Sequence, residues 1–438
     1  MSAKTGALGA RQQRLTSYLD RLAETSGHAD RAVPLKLYCT GLLLPGERKS
    51  VEPMAARLAP DNVRRMHQSL HHVVAEGGWS DEALLGCTRN YTLAAMTKSG
   101  PVVAWIVDDT GLPKKGTHSV GVARQYCGQT GKQDNCQIAV SLSVATCNAS
   151  LPMAYRLYLP EAWANDAERR QQAGIPKEVL FQTKLEIALG QIRQALADGV
   201  PQGTVLGDPA YSNDTGFRQA VAGLQLSYVL GAQSSTTVWP PGIEPLSAPP
   251  YSGRGRPANR LRRDADHAPV SAKQLALNLP AKAWKTVMWR EGSRHPLRSR
   301  FAAVRIRAAH RDHKLRQPRE LEWLLIEWPR GESEPTKYWM SNLAESIRFR
   351  ALVGLAKQRW IIERDYQELK QELGLGHFEG RGWRGFHHHA TLSIAAYGFL
   401  VAERCRFSPS ARSGHLGLST PQLPPGFQPR GSHPSGKT

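Results

Sequence analysis

Two short apolar runs that each stop at an aspartate, PVVAWIVDDT at 101–110 and TVLGD at 204–208, constrain this 438-residue chain more than any other feature. Both are short and rich in β-branched residues, so they read as buried strands. Between them, QIAVSLSVAT and LPMAYRLYLP read as two more strands. KEVLFQTKLEIALGQIRQALADG, starting at Lys177, reads as a long amphipathic helix closed by a glycine. TGFRQAVAGL then reads as a helix and LSYVLGA as a fifth strand. Three strands, helix, strand, helix, strand predicts an α/β fold with a mixed (α+β) sheet and helices packed on it. Such sheets present ligands beyond the carboxyl ends of their strands. If the two acid-bearing strands are neighbours, Asp208 meets either Asp109 or Asp108 at one sheet edge. Side chains alternate along a strand, so only one of that pair faces any given side.

A third acid comes from QRWIIERDYQELKQELGLGHFEGRGWRGFHHH at 358–389. Ile362, Tyr366, Leu369 and Leu373 recur at helical spacing and form an apolar stripe. Arg359, Glu363 and Lys370 fall on one line that borders this stripe. A carboxylate held between two cations at the edge of a core is an ordinary surface ion pair unless other acids join it. Three carboxylates from two strand ends and a crossing helix make a site for hard divalent ions such as Mg2+. A pair of such ions suits phosphodiester cleavage. Without cations the three acids would repel and raise one another's pKa. His387, His388 and His389 do not join the set. Consecutive helical residues point about 100° apart, so they suit capping, packing or a phosphate contact better than shared ligation.

Charge identifies a partner class. Lys and Arg number 57 against 37 Asp and Glu, a net +20, and residues 251–320 alone hold 18 basic and 5 acidic side chains. Charge concentrated this way reads as a nucleic-acid footprint. The wider segment 233–343 holds this cluster and six of the eleven tryptophans, Trp239, Trp284, Trp289, Trp323, Trp328 and Trp339. Tryptophans among cations can stack an unpaired base, and Trp289 and Trp239 are the candidates. Lys114, Lys115, His118, Arg124 and Lys132, in the Gly-rich loop after the first acid, are placed to grip DNA. Six cysteines without paired spacing, no signal-like start and no long apolar run predict a cytoplasmic, nucleoid-associated protein with no membrane partner. The expected organisation is a helical domain at 1–95 and a catalytic core at 96–232. A basic, Trp-rich β insertion follows at 233–343, then core helices at 344–405 and a disordered tail at 406–438.

Three blocks, VDDTGLPKKGTHSVGVARQYCGQTGKQDNCQ (107–137), VLGDPAY (205–211) and residues 358–400, resemble the bacterial insertion-sequence DDE transposases. The likeness is to the branch with a β-rich insertion between the second Asp and the Glu, and it runs in order from about residue 30 to 405. It implies an RNase H-like core and a triad of Asp109, Asp208 and Glu363, which would serve as both catalytic residues and metal ligands. Asp108 is the alternate to Asp109, which fits the family pattern better because it directly precedes Thr110. Two Mg2+ ions, with Mn2+ as a substitute, are the implied cofactor. The Tyr, Arg, Glu, Lys signature around the last acid is matched by Arg359, Glu363 and Lys370, with Ala356 where the Tyr would stand and Tyr366 as its substitute. Lys114, Lys115, Arg124, Arg359, Lys370 and Trp289 are the implied DNA contacts. The implied partners are terminal inverted repeats, target DNA and a second copy of the chain on paired ends. Two rivals are a non-catalytic DNA-binding derivative and an RNase H-like nuclease or resolvase. The first would have let its acids go, and the second would have no use for the large insertion.

Overall fold

A computed structural model describes residues 2–407 apart from 252, 254–258 and 291–295. From 408 on, the tail expected to be disordered lies outside the described residues. Five helices open the chain: α1 (Ser2–Glu24), α2 (Ala29–Leu43), α3 (Val51–Leu58), α4 (Val63–His71) and α5 (Asp81–Met96). The sheet begins with β1 (Ala104–Pro113), β2 (Ala123–Cys127), β3 (Lys132–Ala145) and β4 (Ser150–Leu157). Short α6 (Glu161–Ala164) and α7 (Ala167–Gln172) lead to α8 (Lys184–Ala197), β5 (Thr204–Gly207), α9 (Pro209–Ser212), α10 (Thr215–Gly223) and β6 (Tyr228–Ala232). Helix α8 starts seven residues later than its apolar spacing suggests. Thr183 accepts from the Glu186 amide while the Glu186 carboxylate accepts from the Thr183 amide, a reciprocal cap that fixes the start.

In the core, β1 runs antiparallel to β3 and parallel to β5, which is parallel to β6, while β4 pairs with β3. This order, with helices on the sheet, is the RNase H-like arrangement. The sheet does not stop there. The segment after β6 forms β7 (Thr237–Trp239), β8 (Val270–Ser271), α11 (Ala272–Leu277), β9 (Lys285–Arg290), β10 (Leu297–Ala308), β11 (Glu322–Trp328) and β12 (Lys337–Ser341). β12 pairs with β6 from Tyr338↔Ala232 to Ser341↔Val229, so the later strands extend one twelve-stranded sheet.

Helices α12 (Phe349–Gln358), α13 (Trp360–Gln371) and α14 (Trp383–Phe407) are the last elements among the described residues. α12 covers one face of the added strands, where the Lys357 ammonium pairs with Glu327 at 2.8 Å and lies 4.2 Å from the Trp289 ring centre. α13 does not run into α14. Gly374 takes φ +65°, and a Cβ there would sit 2.3 Å from Lys49 Cβ, so glycine both ends the helix and lets the chain pass. α14 is buried along most of its length among the opening helices. Tyr18 donates to the Ala395 carbonyl at 2.8 Å, and the Tyr38 hydroxyl meets His389 Nδ1 at 2.8 Å. No helix among the described residues is long and apolar enough to cross a membrane.

Candidate active site

β1 does not stop at its acids as its apolar run suggests: it runs on past Asp108 and Asp109 to Pro113, held by its ladder with β3, and the site lies where its parallel neighbour β5 ends. Across the antiparallel ladder Asp108 pairs with Ser141 and Asp109 with Val140, so the two acids project from opposite faces. The Ser141 hydroxyl receives the Tyr366 hydroxyl from α13, which marks the Asp108 face as the one this helix covers. Asp109 faces α8. Its carboxylate pairs with Lys184 at 2.5 Å and accepts from the Tyr211 hydroxyl at 2.8 Å.

Asp208 follows β5 directly, and its Oδ1 accepts from the Ala210 amide at 2.9 Å as the cap of α9. The parallel register runs from Ala104↔Thr204 to Ile106↔Leu206. β5 ends at Gly207, so Asp208 lies just past the ladder, within electrostatic reach of both Asp108 and Asp109. Glu363 is exposed in the first turn of α13, where a carboxylate suits the helix dipole. One turn before it, at the joint of α12 and α13, Arg359 donates from Nη2 to Asp108 Oδ1 at 2.7 Å.

Electrostatics single out the same group. Burial alone would lower the Arg359 pKa, but Asp108, Asp208 and Glu363 together raise it above its usual value. Burial pushes the Asp108 carboxyl up to about 6 against the pull of Arg359, and Asp109 and Asp208 add to the rise. Asp208 is also raised, first by burial, with Arg359 opposing and Asp109 adding. Arg359 therefore contacts Asp108 and feels the charge of Asp208 and Glu363, while Asp109 pairs with Lys184.

Among the described residues, no three His, Cys, Asp or Glu side chains stand close enough together to hold an ion. The acids around Arg359 offer oxygen only, the donor set of hard cations such as Mg2+.

The remaining expected contacts divide. Lys115 and Arg124 are exposed. The Lys114 ammonium is half-buried, donates to the Phe378 carbonyl at 2.7 Å and has its pKa lowered by burial. Lys370 donates to the Gly111 carbonyl at 3.0 Å, and burial lowers it too. Trp289 is half-buried under Lys357. Trp239 cannot stack a base: it is 1% exposed, and its indole N–H is bound by Asp312. The three histidines take separate partners. His387 accepts from the Leu157 amide, His388 bonds Asp81 and stacks on Trp79, and His389 meets Tyr38. Lys184 and Tyr211 went unnoticed in the sequence, although Tyr211 lies three residues after Asp208 in VLGDPAY.

A mixed RNase H-like sheet with acids within β1 and just after its parallel neighbour β5 defines the class. Residues 21–296 match the family described as DDE superfamily endonuclease, and the chain belongs to that family. The match takes in the acids of β1 and Asp208 and stops before α13. A relative from Microchaete diplosiphon, named "Probable transposase for insertion sequence element IS701", is 30% identical over 190 residues. The aligned part is 43% of this chain and 46% of the relative, so the chain spans about half the length of the curated relative it matches.

Proposed function

We propose that this protein is the transposase of an insertion sequence, with Asp108, Asp208 and Glu363 as its acidic triad and Asp109 as the alternate first member. The observation that carries the reading is the contact of Arg359 with Asp108, within reach of the charges of Asp208 and Glu363, in a chain of the DDE endonuclease family. The substrates are the terminal inverted repeats of the element and a target DNA. The reaction is strand cleavage at the element end, followed by attack of the freed 3′-OH on target DNA.

The three acids would hold Mg2+, or Mn2+ in its place. When bound, the divalent ions supply an activated water and stabilise the leaving oxygen of the phosphodiester. The chain's own groups position the strand. Exposed Lys115 and Arg124 contact phosphates beyond the first acid, and Arg359 and Lys370 hold the strand along α13. Trp289 reaches DNA only through the part of its ring that Lys357 leaves open. Two element ends must be held together, so the active form is a homodimer on paired ends in the bacterial cytoplasm.

The test is strand cleavage of DNA carrying the element's own ends, with Mg2+, comparing wild type and Glu363→Gln. Cleavage at the end boundary by wild type alone is expected. Equal cleavage by the variant would refute the triad, and binding without cleavage by either protein would favour the non-catalytic DNA-binding reading.

A further inference from the structure

We infer that the cleft between the opening helices and the loop after α13 carries the DNA backbone, with Arg381 holding a phosphate about five nucleotides from the one that is cut. The inference rests on the proposed reading of the chain as a transposase, and it gives the helical N-terminal region a part in holding the strand.

The loop is built to present that arginine. In GHFEGRGWRG at 376–385 the glycines have a packing reason. A Cβ at Gly380 or Gly385 would stand 2.3 or 2.4 Å from Phe378 Cζ, so the loop closes around this ring, which stacks on His389 at 5.6 Å. The loop is also tied to the chain that leaves β1. Lys114 Nζ donates to the Phe378 carbonyl at 2.7 Å, and the Val120 amide donates to the Arg381 carbonyl at 3.0 Å. These contacts hold the backbone at 381 and leave its side chain exposed. Among the described residues the Arg381 guanidinium has no hydrogen bond or ion pair.

The space in front of it suits a phosphate chain. The cleft encloses about 630 Å3, and α4 forms its far wall with His67 and His71, whose rings lie 6.1 Å apart and nearly parallel. Arg384 adds a second guanidinium, which donates to the Glu76 carbonyl at 3.0 Å. Of the two acids in the lining, Glu379 is paired with Arg48, which leaves Glu52 as the one carboxylate facing these cations unpaired. Planar guanidinium groups with free donors match phosphate oxygens, and imidazole rings can lie against a sugar or base. The position follows from the strand. Lys114 is five residues past Asp109, and the backbone stays extended to that point, where the Lys114 amide donates to the Asn135 carbonyl at 3.0 Å. At about 3.4 Å per residue that is about 17 Å, which a DNA strand covers in about five steps. Exposed Lys115 lies between the acids and the cleft and continues the same path.

The experiment measures binding of the full chain to a duplex carrying the element's own end and its flank, in EDTA so that no strand is cut. Single methylphosphonates remove one charge at a time along both strands, on either side of the cut. In wild type a substitution about five nucleotides from the cut should weaken binding by about tenfold, the low end for a hydrogen bond to a charged group. In Arg381→Ala the same substitution should have no further effect, because its partner is already gone. That variant should also bind the unmodified duplex about tenfold more weakly, with the slope of log affinity against log salt reduced by about one. Arg193→Ala removes an equal charge from the exposed face of α8 and should keep the wild-type pattern. A pattern in Arg381→Ala identical to wild type, or the same loss in Arg193→Ala, overturns the inference while leaving the transposase reading intact. So does a change confined to phosphates more than about ten nucleotides from the cut. Should Arg381→Ala fail to fold, a wild-type scan with no sensitive phosphate near the fifth position overturns it by itself. No binding of wild type to the element end overturns both readings together.

Discussion

Asp365 lies two residues beyond Glu363 on α13 but points into the protein, where it is 4% exposed. Tyr397 on α14 donates to one carboxyl oxygen at 2.7 Å and Ser150 on β4 donates to the other. Burial pushes this carboxyl from the ordinary 3.8 to about 7, although both hydroxyls pull the other way. The folded chain therefore keeps a proton that the unfolded chain has released across the window from about pH 4 to pH 7. In that window stability falls as pH rises, by about 1.4 kcal/mol per pH unit. The contribution is complete below the unfolded pKa and gone above about 7, a total of about 4 kcal/mol. Asp365→Asn keeps the shape and removes the ionisation. Urea unfolding of both proteins at pH 5, 6, 7 and 8 should show the variant gaining on wild type by about 3 kcal/mol between the first and last points. Parallel stability profiles for the two proteins would refute the reasoning, because they would mean that the carboxyl gains no proton affinity on folding.

Two further outcomes are expected. Asp108→Asn should cut end cleavage by about a thousandfold, equivalent to about 4 kcal/mol of lost transition-state stabilisation, whereas Asp109→Asn should stay within about tenfold of wild type. The reverse order in a gel cleavage assay would restore Asp109 to the triad. Lys357→Met should destabilise the fold by about 3–5 kcal/mol, because it strands the 3%-exposed Glu327 without a partner. A second change, Glu327→Gln, should recover most of that loss in urea midpoints.

Much of the core was legible because its signals are local. β1, β3, β5 and β6 announce themselves as apolar runs, and the acid at the end of β5 is readable from position, whereas β1 runs past its acids to Pro113 because its ladder with β3 continues there. The choice between Asp108 and Asp109 was not legible. It depends on which sheet face α13 covers, and that is set by contacts such as Tyr366 to Ser141, far apart in the chain. The start of α8 was misjudged for the opposite reason, since the Thr183 and Glu186 cap is a local signal outweighed by apolar spacing. Trp239 looked available after a polar turn, but β7 pairs with β10, and buried Asp312 waits for its indole N–H. The two partners of Asp109 come from α8 and α9, and no short motif joins Lys184 to Tyr211.

The ladder between β6 and β12 makes the added strands part of the same rigid lattice as the acids. From β1 the path to β10 crosses β5, β6, β12 and β11, which is five strand spacings. At about 4.8 Å each, that is a fixed arm of about 24 Å. A duplex lying along it would cover about seven base pairs, at about 3.4 Å of rise each. Basic side chains on β10 would then act as a ruler, setting where along a strand the acids fall without reading a single base.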